Sequence, residues 1–319
     1  MKLSFLKSKY NQTLIGEIKT MTKVIKHKLD IHQEITDAVV EALEEIKNRF
    51  GDNRQMEWNK PWIDTLSGSP KNVDVKAYRG INILLLSLQA SKMGYTQNIW
   101  GTFKAWQSKG GKIIKGSKAT RITFYKSFIT KNKETGEEEK FFILKAFNVF
   151  NIAQVDGVEI KENDDVTINK HMIRDLQIDS FVANTKVVLK SGGNRAFYSP
   201  KGDFVAMPEL GQFKTTDAYY ATLLHELTHW TGNKERCERN MSGRFGNQAY
   251  AFEELVAELG SMFLCADLKV LGRDEDHMSN HIAYLDSWIK VLRDDKRAIF
   301  KASTLAQQSF DYLQDLQVA

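Results

Sequence analysis

The segment His225-Glu226-Leu227-Thr228-His229 combines the residue types and the spacing of a metal site. Residues four apart on a helix lie on one face, so the imidazoles of His225 and His229 can bind one cation together. Glu226 stands beside them and need not be a ligand, because in such motifs this carboxylate takes a proton from metal-bound water. The pattern therefore predicts one zinc ion per chain and metal-assisted hydrolysis with Glu226 as the catalytic base.

A catalytic zinc site uses three protein ligands and keeps one open position, so a third ligand is expected from a later helix. In the segment YAFEELVAELG, Glu254 and Glu258 stand four residues apart and share a helix face. We expect Glu254 to be the third ligand and Glu258 to accept a hydrogen bond from a ligating histidine. Glu253 is the competitor for the ligand role, but it points about 100° away around the helix.

The competing interpretation is that these histidines pack in a core and that the glutamates form a solvated face. The context argues against it, because the preceding segment TTDAYYATLL is an apolar-periodic helix with Thr215 or Thr216 as its N-cap. The segment 203–208 before it is predicted to be an edge strand that could bind substrate as an added strand. A second pair, His277 and His281, has no carboxylate after its first histidine and is interpreted as a surface pair.

The first half of the chain is basic and the second half is not. Residues 1–170 carry a formal net charge of +8, whereas residues 171–319 carry −3. Between Asp74 and Glu134 there are 12 basic residues and no acidic residue. This asymmetry indicates an anionic partner for the first half. It also excludes a protein that imitates duplex DNA, since such a protein must be acidic.

Aromatic residues interleave with these positive charges, and the loop GGKIIKGSK can bring lysines close to a phosphate chain. Lysines neutralise phosphates and aromatic faces stack on unpaired bases, which favours single-stranded DNA bound without sequence preference. The alternative is that the helically spaced Trp100, Phe103 and Trp106 belong to a core. The candidate nucleic-acid-binding residues are Arg79, Lys104, Trp106, Lys109, Lys112, Lys115, Lys118, Arg121 and Lys126.

The composition of the whole chain limits the class of protein. Its 319 residues are enough for two domains. No segment approaches the ~20 consecutive apolar residues of a membrane span, and the first residues lack the apolar stretch of a secretory signal. Cys237 and Cys265 have no CxxC partner, which argues against a disulfide framework or a cysteine-based zinc site. We therefore expect a cytoplasmic protein without a membrane partner.

Hydrophobic periodicity predicts an α+β fold. The polar segment 151–165 is the expected domain boundary, which gives a DNA-binding domain at 21–160 and a metal-site domain at 166–319. The helical pattern begins after Met21, so residues 1–20 are expected to be a loose leader unless translation starts at Met21. The predicted helices are 24–50, 81–93, 99–108, 167–183, 216–231, 247–271, 275–294 and 296–317, and the predicted strands are 121–130, 140–149, 186–190, 195–198 and 203–207.

The string YYATLLHELTHWTG followed by RFGNQAYAFEELVAELG resembles the zincin-like domain of the ArdC-type antirestriction proteins of plasmids and other mobile elements. The strings KAYRGINILLL and GYTQNIWGTFKAWQSKGGKIIKGSKAT resemble the N-terminal single-stranded-DNA-binding domain of the same family. The resemblance covers most of residues 58–317, with the motifs in matching order. It implies a small sheet with the HExxH helix and later helices, and protection of incoming DNA from host restriction. It also implies site roles for His225, Glu226, His229 and Glu254.

Two other functions use the same parts. One is a protease that acts on proteins bound or crosslinked to DNA, with an unknown protein substrate. The other is a single-strand-binding protein whose zinc only stabilises the fold. Glu226 argues against the second, because a structural zinc site has no need for a general base.

Overall fold

The computed structural model describes residues 30–50, 68–131, 138–158, 174–213, 215–241, 247–270 and 278–317. The predicted leader (1–20) and the side chains of the surface pair His277 and His281 lie outside the described residues. Within the described ranges the protein is α+β, as predicted. No helix among them is both long and apolar enough to cross a membrane.

The first half contains a four-stranded sheet with the order β1-β2-β5-β4. Strands β1 and β2 are parallel, and the other neighbours are antiparallel. Strands β4 and β5 form a long two-stranded ribbon that agrees with the two strands predicted there. The elements of this half are α1 (Ile31–Phe50), β1 (Lys71–Asn72), α2 (Ile81–Met93), β2 (Ile99–Gly101), α3 (Phe103–Ser108), β3 (Lys112–Ile113), β4 (Thr120–Lys131), β5 (Glu138–Asn151) and β6 (Val155–Asp156).

The helix predicted over 99–108 is wrong in its first part. Ile99 and Trp100 are fully buried in β2, between β1 and β5. A short apolar run in a buried central strand has no alternation, so periodicity cannot distinguish it from a helix. The helix α3 begins only after Thr102, whose side chain accepts a hydrogen bond from the backbone N–H of Ala105.

The second half contains a three-stranded sheet with the order β7-β9-β8, packed against a group of long helices. The predicted edge strand at 203–208 is wrong in its position, because β9 occupies the centre of this sheet. Its side chains Val205 and Met207 are buried on the helix side. The elements are α4 (Leu176–Asn184), β7 (Val188–Ser191), β8 (Phe197–Ser199), β9 (Phe204–Met207), α5 (Thr216–Thr231), α6 (Gln248–Asp267), α7 (Met278–Asp294) and α8 (Ala298–Asp315).

A hydrophobic core joins the two halves. Leu43 of α1 and Leu84 of α2 are buried in the same cluster as apolar side chains from α5, α6, α7 and α8. At the start of α2, the backbone N–H of Gly80 donates to Gln307 Oε1 of α8 (2.8 Å). The two halves are therefore packed on a common core, while the limits 21–160 and 166–319 stay a prediction.

Candidate metal centre and nucleic-acid surface

Two helices carry the candidate metal ligands. Helix α5 is capped by Thr215, whose side chain accepts a hydrogen bond from Ala218 N (3.1 Å). Helix α6 packs closely across α5 at Gly260. A Cβ atom on Gly260 would lie 2.4 Å from Cγ2 of Thr228, so only glycine permits this approach of the two helices. The close crossing places the carboxylates of α6 beside the histidines of α5.

The three predicted ligands converge. His225 Nε2 lies 3.6 Å from Glu254 Oε2, and His229 Nε2 lies 3.6 Å from Glu254 Oε1. One ligand atom from each residue lies within 4.8 Å of the others. Ligand atoms around a tetrahedral zinc ion stand about 3.3–3.5 Å apart, given bonds of about 2.0–2.2 Å. The donor atoms are therefore of the right kind, and they lie close enough together to converge on one divalent metal ion.

A second carboxylate faces the far nitrogen of each histidine. Glu258 Oε1 lies 3.4 Å from His225 Nδ1, in the place that the helix spacing predicts for it. Glu253 Oε1 lies 3.2 Å from His229 Nδ1. Carboxylates at these positions favour a proton on Nδ1, which makes Nε2 available to a metal ion. Glu253 therefore contacts a histidine, which differs from the metal-ligand role that was its alternative. The sequence feature that could have indicated this contact is the pair of consecutive glutamates, Glu253 and Glu254, opposite two histidines.

Arg239 fixes Glu253 in turn. Its side chain is only 2% exposed, and its guanidinium donates to both carboxylate oxygens of Glu253, at 2.8 to 3.3 Å. The same group donates to Thr231 Oγ1, Ser309 Oγ and the carbonyl oxygen of Thr228. No sequence pattern indicates this role, because Arg239 lies in the loop after α5 and no periodic segment includes it.

The buried charges of the site shift one another's pKa values. Burial alone would lower the pKa of His229, but hydrogen bonds with Glu253 and Glu254 outweigh it and raise the pKa to about 9. Burial opposes the charged form of His225 in the same way, and Glu254 and Glu258 raise its pKa well above the usual range. Burial would raise the pKa of Glu254, whereas its close contacts with the two histidines hold that pKa well below the usual range. The cluster is thus rich in negative charge and suited to a cation.

Glu226 lies next to the ligands and is held by the small sheet. Its Oε2 accepts a hydrogen bond from the backbone N–H of Tyr198 in β8 (2.8 Å). The Tyr198 hydroxyl donates to Asp203 Oδ1 (2.9 Å), and Arg236 is ion-paired with the same carboxylate. Arg236 also stacks on Trp230, 3.9 Å from the ring centroid. The carboxylate of Glu226 therefore has a fixed orientation beside the histidines.

The predicted nucleic-acid residues divide into three groups. Trp106 is fully buried, and its indole N–H donates to the carbonyl oxygen of Phe150 (2.9 Å), so the prediction that it stacks on bases is wrong. The core role that its helical spacing also allowed is the better interpretation of this residue. The second group consists of predicted residues whose side chains are exposed: Lys104, Lys112, Lys115, Lys118 and Lys126.

The third group forms ion pairs within the protein. Arg79 contacts Asp311 (2.5 Å), Lys109 contacts Asp74 (2.9 Å) and Arg121 contacts Glu34 (2.7 Å). These pairs neutralise part of the positive charge that the sequence shows. A role of Arg79, Lys109 and Arg121 in binding phosphates stays a prediction.

Comparisons with known proteins match both halves separately. A family model for a zincin-like metallopeptidase matches residues 176–305, and one for the N-terminal domain of the anti-restriction factor ArdC matches residues 29–150. The chain is 35% identical over 294 residues to the uncharacterized protein y4eC of Sinorhizobium fredii, covering 89% of this chain and 91% of the relative. It is 32% identical over 308 residues to the DNA primase TraC of Escherichia coli, covering 90% of this chain but 27% of the primase.

Two solved structures resemble most of the chain, including parts of both halves. The metal-free crystal structure of the antirestriction protein ArdC from plasmid R388 superimposes with a TM-score of 0.73 at 37% identity, covering 91% of this chain and 98% of that chain. The Mn(II)-bound structure of the same protein gives a TM-score of 0.71 at 35% identity, covering 90% and 98%. Both halves of the chain and their order are thus found together in one solved protein.

Proposed function

The chain belongs to the ArdC-type antirestriction family, and on that premise we propose that it binds single-stranded DNA and carries a zinc metallopeptidase site. Its role would be to cover incoming DNA and protect it from host restriction. The observation that carries the proposal is the convergence of His225, His229 and Glu254 around one point, with Glu226 alongside.

His225, His229 and Glu254 would hold the metal. Two imidazoles and one carboxylate form a ligand set that zinc uses in catalytic sites. One solved relative is Mn(II)-bound, which supports a divalent cation as the metal of this chain. Glu258 and Glu253 would not be ligands, because their carboxylates face the Nδ1 atoms and not the Nε2 atoms. They would keep each histidine in the tautomer that presents Nε2.

A bound divalent ion supplies an acidic water molecule and polarises the carbonyl of a peptide bond. Glu226 would take the proton of that water at Oε1, because its Oε2 is held by the Tyr198 N–H. It would then pass the proton to the amine of the leaving peptide. Since the hydrogen bond from β8 fixes the carboxylate, little reorientation is needed between these two transfers.

The DNA-binding half of the proposal depends on charge. Lys104, Lys112, Lys115 and Lys118 are exposed, and the segment between Asp74 and Glu134 has no acidic residue. Phosphate contacts of this kind do not depend on the base sequence of the DNA.

The second candidate function is a protease for proteins bound to DNA. It is favoured because the two halves share a hydrophobic core, which holds the candidate metal site in the same body as the basic surface.

The full chain can be tested in one set of assays. The protein is stripped with a chelator, reloaded with Zn²⁺ or Mn²⁺, and assayed for binding of a labelled oligo-thymidine and for cleavage of an unfolded protein. We expect single-strand binding in all states, and cleavage only by the metal-loaded wild type. Glu226→Gln should bind DNA and metal but not cleave. Cleavage by Glu226→Gln would overturn the peptidase mechanism, and equal affinity for duplex and single strand would overturn the single-strand assignment.

A further inference from the structure

The ribbon of β4 and β5 has one face that is both aromatic and basic. The antiparallel register pairs Phe124 with Lys145, and Lys126 with Ile143. Phe147, opposite the buried Ile122, completes the same face, because directly paired residues point to the same side of a sheet. We call Phe124, Lys126, Ile143, Lys145 and Phe147 the ribbon face. All five side chains are exposed, with Phe124 58% and Phe147 44% exposed.

The opposite face of the ribbon is partly covered by the protein itself, although Tyr125 and Ile129 on that face stay exposed. The hydroxyl of Tyr125 lies 3.3 Å from His32 Nε2 of α1, and Arg121 forms an ion pair with Glu34 of the same helix. Leu144 packs against the main hydrophobic core. The ribbon therefore rests on α1 with one face and presents the ribbon face outward.

The ribbon is also fixed at its edge. The side-chain amide of Asn82 in α2 accepts a hydrogen bond from the Thr123 N–H (2.9 Å) and donates to the Thr123 carbonyl oxygen (2.8 Å). This contact satisfies the backbone of β4 at its open edge, next to Phe124. A fixed backbone holds the two phenylalanines in place before any ligand arrives, which lowers the ordering cost of binding.

Charge and residue type limit what can cover this face. Among the described residues of the ribbon face there is no acidic side chain, and two of the five are lysines. Lysine is depleted from the centres of protein–protein interfaces, which disfavours a second copy of the chain. Aromatic rings beside lysines suit unpaired bases stacked on rings with phosphates nearby. A duplex offers phosphates but no open base faces.

We propose that the ribbon face is the track on which single-stranded DNA lies, with bases stacked on Phe124 and Phe147 and phosphates near Lys126 and Lys145. This inference rests on the proposed single-strand binding and names its surface. Of these four residues, only Lys126 is a candidate from the sequence, because it belongs to the segment rich in positive charge. The structure brings them together through the register of the two strands.

The test uses the full chain and a labelled oligo-thymidine, with affinity measured by fluorescence anisotropy at several salt concentrations. Removal of one base–aromatic stack weakens binding roughly 5- to 100-fold. Phe124→Ala combined with Phe147→Ala should therefore weaken single-strand binding at least about 25-fold, while Phe124→Tyr combined with Phe147→Tyr should restore it. Lys126→Gln combined with Lys145→Gln should reduce the salt dependence by about 0.7 for each phosphate that is no longer neutralised.

Phe197→Ala is the matched control, since this phenylalanine is also 44% exposed but lies in the other sheet, on β8. It should bind DNA like the wild type, and all variants should keep the wild-type unfolding midpoint. If the wild type binds single strands and the double alanine variant binds equally well, the ribbon face is the wrong surface. A dimer that dissociates in that variant, with DNA binding intact, would assign the face to a second copy. If the wild type itself does not bind, the proposed function fails first.

Discussion

The metal centre and the ribbon face use charge in opposite ways. At the metal centre His225, His229 and Arg239 each face a carboxylate, and the side chains are nearly buried. On the ribbon face, Lys126 and Lys145 are exposed beside phenylalanines. Burying a charge is costly unless a partner meets it, whereas an exposed lysine costs little. Several contacts therefore fix each charged side chain of the first region. In the second region, only the register of β4 and β5 sets which side chains lie together.

This difference predicts unequal sensitivity to substitution. In the candidate metal centre, removal of one charge leaves another buried with too little compensation. On the surface, water and salt replace a missing partner. Substitutions of similar size should therefore lower the free energy of unfolding strongly at the metal centre and only slightly on the exposed surface.

The largest effect is expected from Arg239→Met. It removes the cation that meets Glu253 and leaves that carboxylate buried, which should lower the free energy of unfolding by about 3–5 kcal/mol. Arg79→Met is the matched control, because Arg79 pairs with Asp311 at a site where both side chains are largely exposed. It should change stability by no more than about 1 kcal/mol. If both variants lose the same free energy of unfolding in urea denaturation, the expected difference between the buried and the exposed ion pair is wrong.

The shared core gives the next effect. Leu43 of α1 is buried in the core together with helices of the second half. Leu43→Ala should cost about 2–5 kcal/mol, and metal binding and DNA binding should disappear in the same denaturation step. Leu176→Ala is the control, since Leu176 is 77% exposed, and it should stay within about 0.5 kcal/mol of the wild type. Two separate transitions would show that the halves fold independently.

A smaller effect is expected at the crossing of α5 and α6. Gly260→Ala places a methyl group against Thr228 and should cost about 1–3 kcal/mol, because the helices must move apart. The same shift moves Glu254 away from the histidines, so metal affinity should fall as well. Gly211→Ala meets no atom within 4 Å and should leave both quantities unchanged. Calorimetry measures the change in unfolding free energy, and metal titration measures the change in affinity. If Gly260→Ala leaves the metal affinity unchanged, the helix crossing at Gly260 does not position Glu254.

The smallest effect on stability is expected from the surface lysines. Lys112→Gln, Lys115→Gln and Lys118→Gln together should leave the free energy of unfolding within about 0.5 kcal/mol of the wild type. Their effect should appear in the salt dependence of single-strand binding, whose slope falls by about 0.7 for each phosphate that is no longer neutralised. An unchanged slope would mean that these lysines do not contact the DNA.

The candidate metal centre is more predictable from the sequence than the proposed DNA surface, for a physical reason. Helical spacing of four fixes the direction of a side chain, so the sequence alone places His225 and His229 on one face, and Glu254 and Glu258 on another. Arg239 lies in a loop, where no period relates position to direction. Its contact depends on tertiary packing alone.

The basic surface shows the opposite case. Composition indicates an excess of positive charge but not which residues are exposed, and Trp106 is a core residue. Phe124 and Phe147 lie 23 positions apart and meet only through the register of the ribbon. The strand β2 was predicted as helix because buried central strands lack alternation. The long helices from Thr216 onward and the ribbon itself agree with their predicted bounds within a few residues, whereas α1 begins seven residues after its predicted start.

The most direct test of the central claim is the metal content of Glu226→Gln, measured by elemental analysis beside the wild type and Glu254→Ala. If Glu226 is the base and Glu254 the third ligand, the first variant should hold one metal ion per chain, like the wild type. Removal of a carboxylate outside the ligand set weakens metal binding about 10- to 100-fold. Glu254→Ala should weaken metal binding by more than that, because it removes a ligand. Absence of the metal from Glu226→Gln, or its full retention by Glu254→Ala, would contradict the assignment.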